Sequence, residues 1–348
     1  AKADQMDHQN VRWAAGLWME ARTGAVQVVW NWTHWGHPTS DIYRITDIPD
    51  AGFKIERRFP YLSRLSGFTT RYVVAEAQRE EGRPQIVAAP PWVAARGVAV
   101  FPDGRVVVGD FGGGRLLVYR PDGQPDPSWP SAPSAGQPSD VAVSRDGRLA
   151  VLDGGSGDLS VLDGTGQVLM RLTRAQTGIG SATGLAWAPD GSLYVADTSN
   201  GRVAHIRLDG TAPVALTVGA GGVPLPNQPL DVAVTPDGTV YAVDLAGRLV
   251  RFDAAGTTVQ EWKLTAGGAA GGGSRLAVWG PTLLAISDPD GNALLLFDTA
   301  TGLARSFPVP ADTPLHLLTP VGVAAGPSGQ LYLLDSGHNR VVLLDLPR

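Results

Sequence analysis

The chain contains no cysteine. That excludes a disulfide framework and any thiolate metal site, and it is compatible with every compartment. Methionine occurs three times, and lysine only at Lys2, Lys54 and Lys263, so nearly all the cations are arginines. No apolar run approaches the roughly 18 residues that a membrane-spanning helix requires, so the chain reads as soluble. No charged start followed by an apolar segment marks a signal peptide. Ala1-Lys2-Ala3 does have the form of a cleavage site, and the missing initiator Met suggests a trimmed precursor. A basic domain or stripe is missing too. The 28 basic residues face 33 acidic ones, and residues 84–348 alone hold 17 against 23. That balance argues against a nucleic-acid partner.

What the chain has in abundance is turn formers. Gly at 44 and Pro at 27 among 348 residues point to many short elements joined by tight turns. With 43% apolar residues these elements can bury a core. A search for internal periodicity finds six units. They begin at Gly97, Asp140, Gly184, Asp231, Arg275 and Gly322, and each has an aspartate at the end of its middle apolar run. Those aspartates are Asp110, Asp153, Asp197, Asp244, Asp288 and Asp335, spaced 43, 44, 47, 44 and 47 residues apart. Within a unit, a short apolar strand such as GVAV is followed by a Pro-Asp-Gly turn, in which glycine takes the positive φ. LYVAD and RVAHI then alternate as half-buried strands do, and a fourth, outer strand follows, for example Gln167–Leu172. Four strands per unit at this period describe the blade of an all-β propeller.

The runs YVADTSNGRV from Tyr194 and YLLDSGHNRV from Tyr332 resemble the NHL-repeat family of propellers. The resemblance covers about residues 84–348 and implies six blades. The second and fifth units depart from it, with Asp158 where Arg is expected and Asp-Pro-Asp-Gly-Asn as the middle turn. The last unit ends without an outer strand, whereas Pro84–Ala89 is strand-like and has no blade of its own. Residues 84–90 are therefore expected to supply the outer strand of the last blade and close the ring.

The repeated Asp and Asn-x-Arg positions recur in nearly every unit, so they read as structural. The Asp caps the turn between the second and third strands, and the Arg pairs with a carboxylate. A functional set would break the repeat. Function in a propeller is expected at the mouth of the central channel, on the face where the innermost strands begin. The candidates there are Arg96, Asp140, Thr183, Asp231 and Arg275, joined by His316 and His338 from one face of the last blade. Two readings stay open: Asp231 and Arg275 form an ion pair that plugs the channel, or Asp140 and Asp231 hold a cation or ligand. Relatives implied by the resemblance hold zinc through histidines of several blades, or calcium through an inner ring of Glu, Asp and Asn. Here His205 lies on a third strand, apart from the other two. Two carboxylates alone do not satisfy a hard cation, so no metal site and no cofactor is expected unless the protein is an enzyme.

Residues 1–83 carry no repeat but hold five of the ten tryptophans. A helix is expected where Val11, Ala14, Ala15 and Trp18 recur at helical spacing after Asn10 and before Gly24. Strands are expected at 25–35, 42–48, 53–59 and 70–76, giving a small α+β extension. Period two puts Trp30, Trp32 and His34 on one face and Val29, Asn31, Thr33 and Trp35 on the other. Trp30, Trp32 and Trp35 are candidate partner contacts, the alternative being a core built against Trp18. His34, His37 and Asp41 are a weak metal signal. The Gly-rich tract 266–273 reads as a tolerated loop rather than a ligand lid.

These readings lead to the expectation of a non-catalytic propeller that binds a protein or glycan. The resemblance to extracytoplasmic bacterial propellers suggests a secreted or envelope location. The alternatives are a metal-dependent hydrolase, lactonase or lyase working at the channel mouth, and a structural subunit of a larger assembly.

Overall fold

The computed structural model describes residues 14–19, 26–34, 37–48, 52–57, 86–88, 92–130, 136–218, 222–264, 274–308 and 316–344. The chain divides into two compact units, 1–83 with 346–348, and 84–345.

The larger unit is a six-bladed β-propeller of antiparallel sheets. Blade 1 comprises Ala95–Val100, Val106–Asp110 and Arg115–Tyr119, and blade 2 Pro138–Val143, Leu149–Asp153, Leu159–Leu162 and Val168–Leu172. Blade 3 runs Gly184–Trp187, Leu193–Asp197, Arg202–Ile206 and Val214–Ala215, and blade 4 Pro229–Val234, Val240–Asp244, Arg248–Phe252 and Thr258–Lys263. Blade 5 is Leu276–Val278, Leu283–Asp288, Ala293–Asp298 and Leu303–Pro308. Blade 6 is Pro320–Ala325, Leu331–Asp335 and Arg340–Leu344, with Ile86–Ala88 from the start of the unit as its outer strand. The register there is Val341 to Ala88 and Val342 to Ile86, so the ring is closed by strands from opposite ends of the unit.

The second strands were expected to alternate, but most are buried on both faces. The reason is that each blade is sandwiched between two others. Leu152, Leu159 and Val161 of blade 2 pack with Leu185, Leu193 and Ile206 of blade 3. Leu230, Tyr241 and Leu249 of blade 4 meet Leu284, Leu295 and Phe297 of blade 5 in the same way. Each such side chain, fully withdrawn from water, contributes about 2 kcal/mol.

The repeated aspartates tie consecutive blades together. Asp110 accepts the backbone N–H of Val93 at 2.7 Å, Asp153 that of Gln137 at 3.1 Å, and Asp197 that of Gly180 at 2.9 Å. Asp244 takes the N–H of Asn227 at 3.0 Å, and Asp335 that of Leu318 at 2.6 Å. Each donor lies in the connection arriving from the preceding blade. An arginine then clamps the same carboxylate: Arg115, Arg202, Arg248 and Arg340 donate to Asp110, Asp197, Asp244 and Asp335. Blade 2 lacks that arginine, and there Ser156 Oγ donates to Asp153 instead, at 2.8 Å. Asp158 turns outward to Arg171 and the N–H of Arg174.

In the smaller unit, Ala14–Met19, Val26–His34, His37–Ile48 and Gly52–Arg57 form an antiparallel meander. The helix expected over 11–18 is therefore corrected: Ala14–Met19 is a strand, paired with 26–31. Its apolar residues fit either period, and Gly16 weakens a helix interior, so pairing decides. The register sets Trp30 opposite Ala15 and Asp41, and Trp18 opposite Gln27. Trp18 and Trp30 thus occupy register positions of opposite faces. His34 is opposite His37 across the turn. Trp35, the strand expected at 70–76 and the tract 266–273 lie outside the described residues.

If ring closure rests on the pairing of 86–88 with 341–342, Ile86→Pro should lower unfolding stability by about 3 kcal/mol, since proline cannot donate to a ladder. A chemical denaturation midpoint equal to that of the unaltered protein would disprove it.

Candidate functional site

The six innermost strands surround a channel, and its cavity of about 220 Å³ is lined by Asp140, Asp231 and Arg275 among small apolar residues. All three charged side chains are buried. Their placement follows from how the strands begin. Asp140 of blade 2 reaches across to accept the N–H of Leu185 in blade 3 at 2.9 Å. Asp231 of blade 4 accepts the N–H of Leu276 in blade 5 at 2.6 Å. The blade before each aspartate carries glycine because the carboxyl side needs that space. A Cβ on Gly184 would lie 2.1 Å from Asp231 Oδ1, and one on Gly97 would lie 2.9 Å from the Cα of Asp140. The sequence pattern Gly97, Asp140, Gly184, Asp231 is thus a steric alternation around the ring.

Arg275 comes next in that ring. Its guanidinium donates to the carbonyls of Leu230 and Ser274, both at 3.4 Å. Its Nε and the Oδ1 of Asp231 are both buried and have no hydrogen-bond partner. Burial raises Asp140 to about 6, against an opposing pull from Arg275. Burial raises Asp231 well above the usual carboxylate range, and the neighbouring charge of Asp140 raises it further. The plugging ion pair expected between Asp231 and Arg275 does not form as a direct contact. The two act on one another through the cavity.

Of the remaining candidates, Arg96 and Thr183 border this ring: burial and the nearby charge of Arg275 lower the proton affinity of Arg96, and Thr183 shares the carbonyl of Leu230 with Arg275. Arg96 is exposed, its guanidinium 3.7 Å from the centre of the Phe111 ring. Thr183 Oγ1 donates to Leu230 O at 2.6 Å and is a tie between blades 3 and 4. His316 and His338 do meet, edge to face with centroids 4.5 Å apart. His338 Nδ1 is bonded to Asp335 at 2.9 Å, and Arg340 donates to the carbonyl of His316. These histidines belong to the buried aspartate network of blade 6, not to the channel. Among the described residues no three His, Asp or Glu side chains converge as metal ligands.

A second, wider cavity of about 820 Å³ opens at the other end of the channel, where the innermost strands finish. The first turns of the blades line it, with Arg145, Asp146, Arg148 and Asp190 as its charged residues. Val100, Val143, Trp187, Val234, Val278 and Ala325 line both cavities and form the throat between them. Three residues of strand separate Asp231 from Val234, so the throat stands about 10 Å from the charged ring. Sequence reasoning looked only at the start of the innermost strands and missed this end. The signal was present in the repeat: the fourth position of the innermost strand is valine in four blades and alanine in the sixth, but Trp187 in the third.

Comparison with known proteins bears on what such a site does. Residues 133–270 match the model of the SMP-30/Gluconolactonase/LRE-like region, and residues 317–342 match the NHL repeat. No curated protein sequence matches the chain significantly. Solved structures share the fold at low identity. A gluconolactonase from Xanthomonas campestris is 19% identical, with 74% of this chain and 88% of that one covered and a TM-score of 0.58. A virginiamycin B lyase from Staphylococcus aureus is 18% identical, covering 72% and 80%, with a TM-score of 0.53. A nidogen/laminin complex contains a chain 15% identical, covering 77% and 89%, with a TM-score of 0.51. The expectation of a non-catalytic binding module is overturned by the first of these matches, which spans Asp140 and Asp231 and leads to an enzyme region. No helix among the described residues is long and apolar enough to cross a membrane.

Because the raised carboxyls bind protons more tightly folded than unfolded, their contribution to stability is complete below about pH 4 and declines above it, that of Asp140 being lost as pH rises through about 6 and that of Asp231 falling in the same direction. Asp231→Asn keeps an acceptor for Leu276 and removes the titrating proton. Its melting temperature at pH 8 should equal or exceed that of the unaltered protein, and its dependence on pH between 4 and 8 should flatten. A variant that melts well below the parent at pH 8 contradicts this. Gly184→Ala should cost about 2 kcal/mol by crowding Asp231, measurable in the same melts.

Proposed function

We propose that this chain, a six-bladed NHL-repeat β-propeller, is a hydrolytic enzyme that opens a small ester or lactone in its central channel. The observation that carries the reading is the pair of buried atoms without a hydrogen-bond partner, Asp231 Oδ1 and Arg275 Nε, on residues that line one cavity together with Asp140. A folded protein leaves few such atoms unsatisfied, and those that persist at a cavity are poised for something that enters it.

The environments of the two carboxyls push their proton affinities apart, which divides an acid from a base. At neutral pH Asp140 is ionised and takes a proton from water as that water attacks the carbonyl carbon. Asp231 is protonated and gives its proton to the alkoxyl oxygen as the C–O bond breaks. Arg275 faces the oxygen on which negative charge accumulates. Transfer of the proton from Asp140 back to Asp231 resets the site, and the products are a carboxylic acid and an alcohol, joined in one molecule when the substrate is a lactone.

A divalent cation does not fit this ring. Each carboxylate has one oxygen committed to a backbone N–H, and a guanidinium shares the cavity. Calcium wants six or more oxygens and zinc at least three protein ligands. The fixed positive charge of Arg275 supplies instead the electrostatic stabilisation that a metal would bring.

Hydrolysis of a panel of small lactones and aryl esters should therefore survive EDTA. Its rate should rise through about pH 6 as Asp140 ionises. Asp140→Asn and Asp231→Asn should each lower kcat by at least about a hundredfold. Activity abolished by chelation and restored by calcium, or retained in both variants, would overturn the reading.

A further inference from the structure

The wide cavity at the first-turn end is not explained by the charged ring, and its charges are not equivalent. Asp146 is satisfied by Ser144 Oγ and by Arg148 Nε at 2.8 Å. Asp190 is held by the N–H and hydroxyl of Ser192, at 2.9 and 2.6 Å. Arg148, paired with Asp146, also lies over the indole of Trp187, 4.7 Å from its centre. Arg145 is exposed and has no hydrogen bond or ion pair among the described residues. What this end offers a ligand is thus one uncommitted guanidinium.

Trp187 is the second feature. It is the one large side chain at the throat, where the other blades place valine or alanine, so it breaks the repeat at a position that both cavities share. Its Nε1 donates to Ala142 O at 3.0 Å across to blade 2, and Arg148 covers it from above the ring. The ring is held from two sides and presents a fixed aromatic wall. A volume of about 820 Å³ is within the usual range for small-molecule sites, whereas the 220 Å³ around the charged ring is below it. A substrate's body fits the wide cavity, and only its small polar end fits the cavity at the charged ring.

We infer that the wide cavity binds small carboxylates carrying a flat ring, with Arg145 as the partner of the carboxylate and Trp187 as the apolar wall beside which the ring packs. This rests on the hydrolytic reading for what becomes of the ligand, but not for its binding. A guanidinium discriminates a carboxylate from its neutral amide through charge-assisted hydrogen bonds, and a planar ring against indole adds contact that a short aliphatic acid lacks.

The test is calorimetric titration of the full chain with phenylacetate, phenylacetamide and acetate. Phenylacetate should bind one to one, at least about tenfold more tightly than either of the others. Arg145→Ala should bring phenylacetate down to the level of phenylacetamide. Trp187→Val, the residue that four other blades carry there, should weaken both aromatic ligands together. Asp231→Asn should leave phenylacetate binding within twofold of the parent while turnover is lost. Equal affinity for acid and amide, unchanged binding in the Arg145 and Trp187 variants, or no binding at millimolar phenylacetate would overturn the inference. Binding as expected in a protein that hydrolyses no ester or lactone would defeat the hydrolytic reading alone.

Discussion

The propeller depends on a buried carboxylate at the end of each second strand. A ring of blades has no single core, so each blade must be fixed to the one before it. In five blades the aspartate takes a backbone N–H from the incoming connection, and in four of them an arginine from the following strand locks the same carboxylate. The arginine then reaches on to a carbonyl of that connection, as Arg202 does to Gly178 and Arg248 to Leu225. Buried charges are tolerable here because each is paired and hydrogen-bonded, and breaking one would strand the other. Asp288 shows the cost of departing from the scheme. Its blade has Ala293 where the clamping arginine would stand, one carboxylate oxygen is unpartnered among the described residues, and burial raises its proton affinity.

The charged ring in the channel uses the same device for another end. Asp140 and Asp231 also reach a backbone N–H of the next blade, but they do so at the start of the innermost strand, where the second oxygen faces a cavity instead of an arginine. Asp110, Asp153, Asp197, Asp244 and Asp335 saturate both oxygens. Asp231 saturates one. That difference, together with its place on the channel cavity, separates Asp231 from the clamps, and it follows from the presence of glycine in blades 1 and 3, which gives the carboxyls room.

Much of this was legible in the sequence because repetition multiplies weak signals. One Asp-Gly turn says little, but four at the same place in their units, with six middle-strand aspartates at a steady spacing, fix strand number, blade count and the aspartate's role. The charged ring was legible for the same reason: Asp140, Asp231 and Arg275 sit where the repeat has glycine elsewhere. What could not be read was anything set by pairing partners. Ala14–Met19 carries apolar residues that suit a helix, and only its pairing with 26–31 makes it a strand. Whether His316 and His338 face the channel or Asp335 depends likewise on a fold of the last blade that spacing does not encode.

The wide cavity was illegible for a different reason. Its charged residues lie in first turns that in sequence look like generic Pro-Asp-Gly hairpin closures, and nothing in one turn reveals that several converge at one end of a channel. Trp187 alone was exposed to view, as a substitution within GVAV-like strands, and its meaning appears only once the throat is seen. The channel then has two unlike ends joined by an apolar ring: one holds proton-transfer groups with little volume, the other holds volume with one uncommitted cation. Small sites with strong electrostatics need water excluded, and large sites with weak electrostatics need shape. A propeller can provide both in one line because the start and finish of each innermost strand lie at opposite ends of the channel and vary independently of one another.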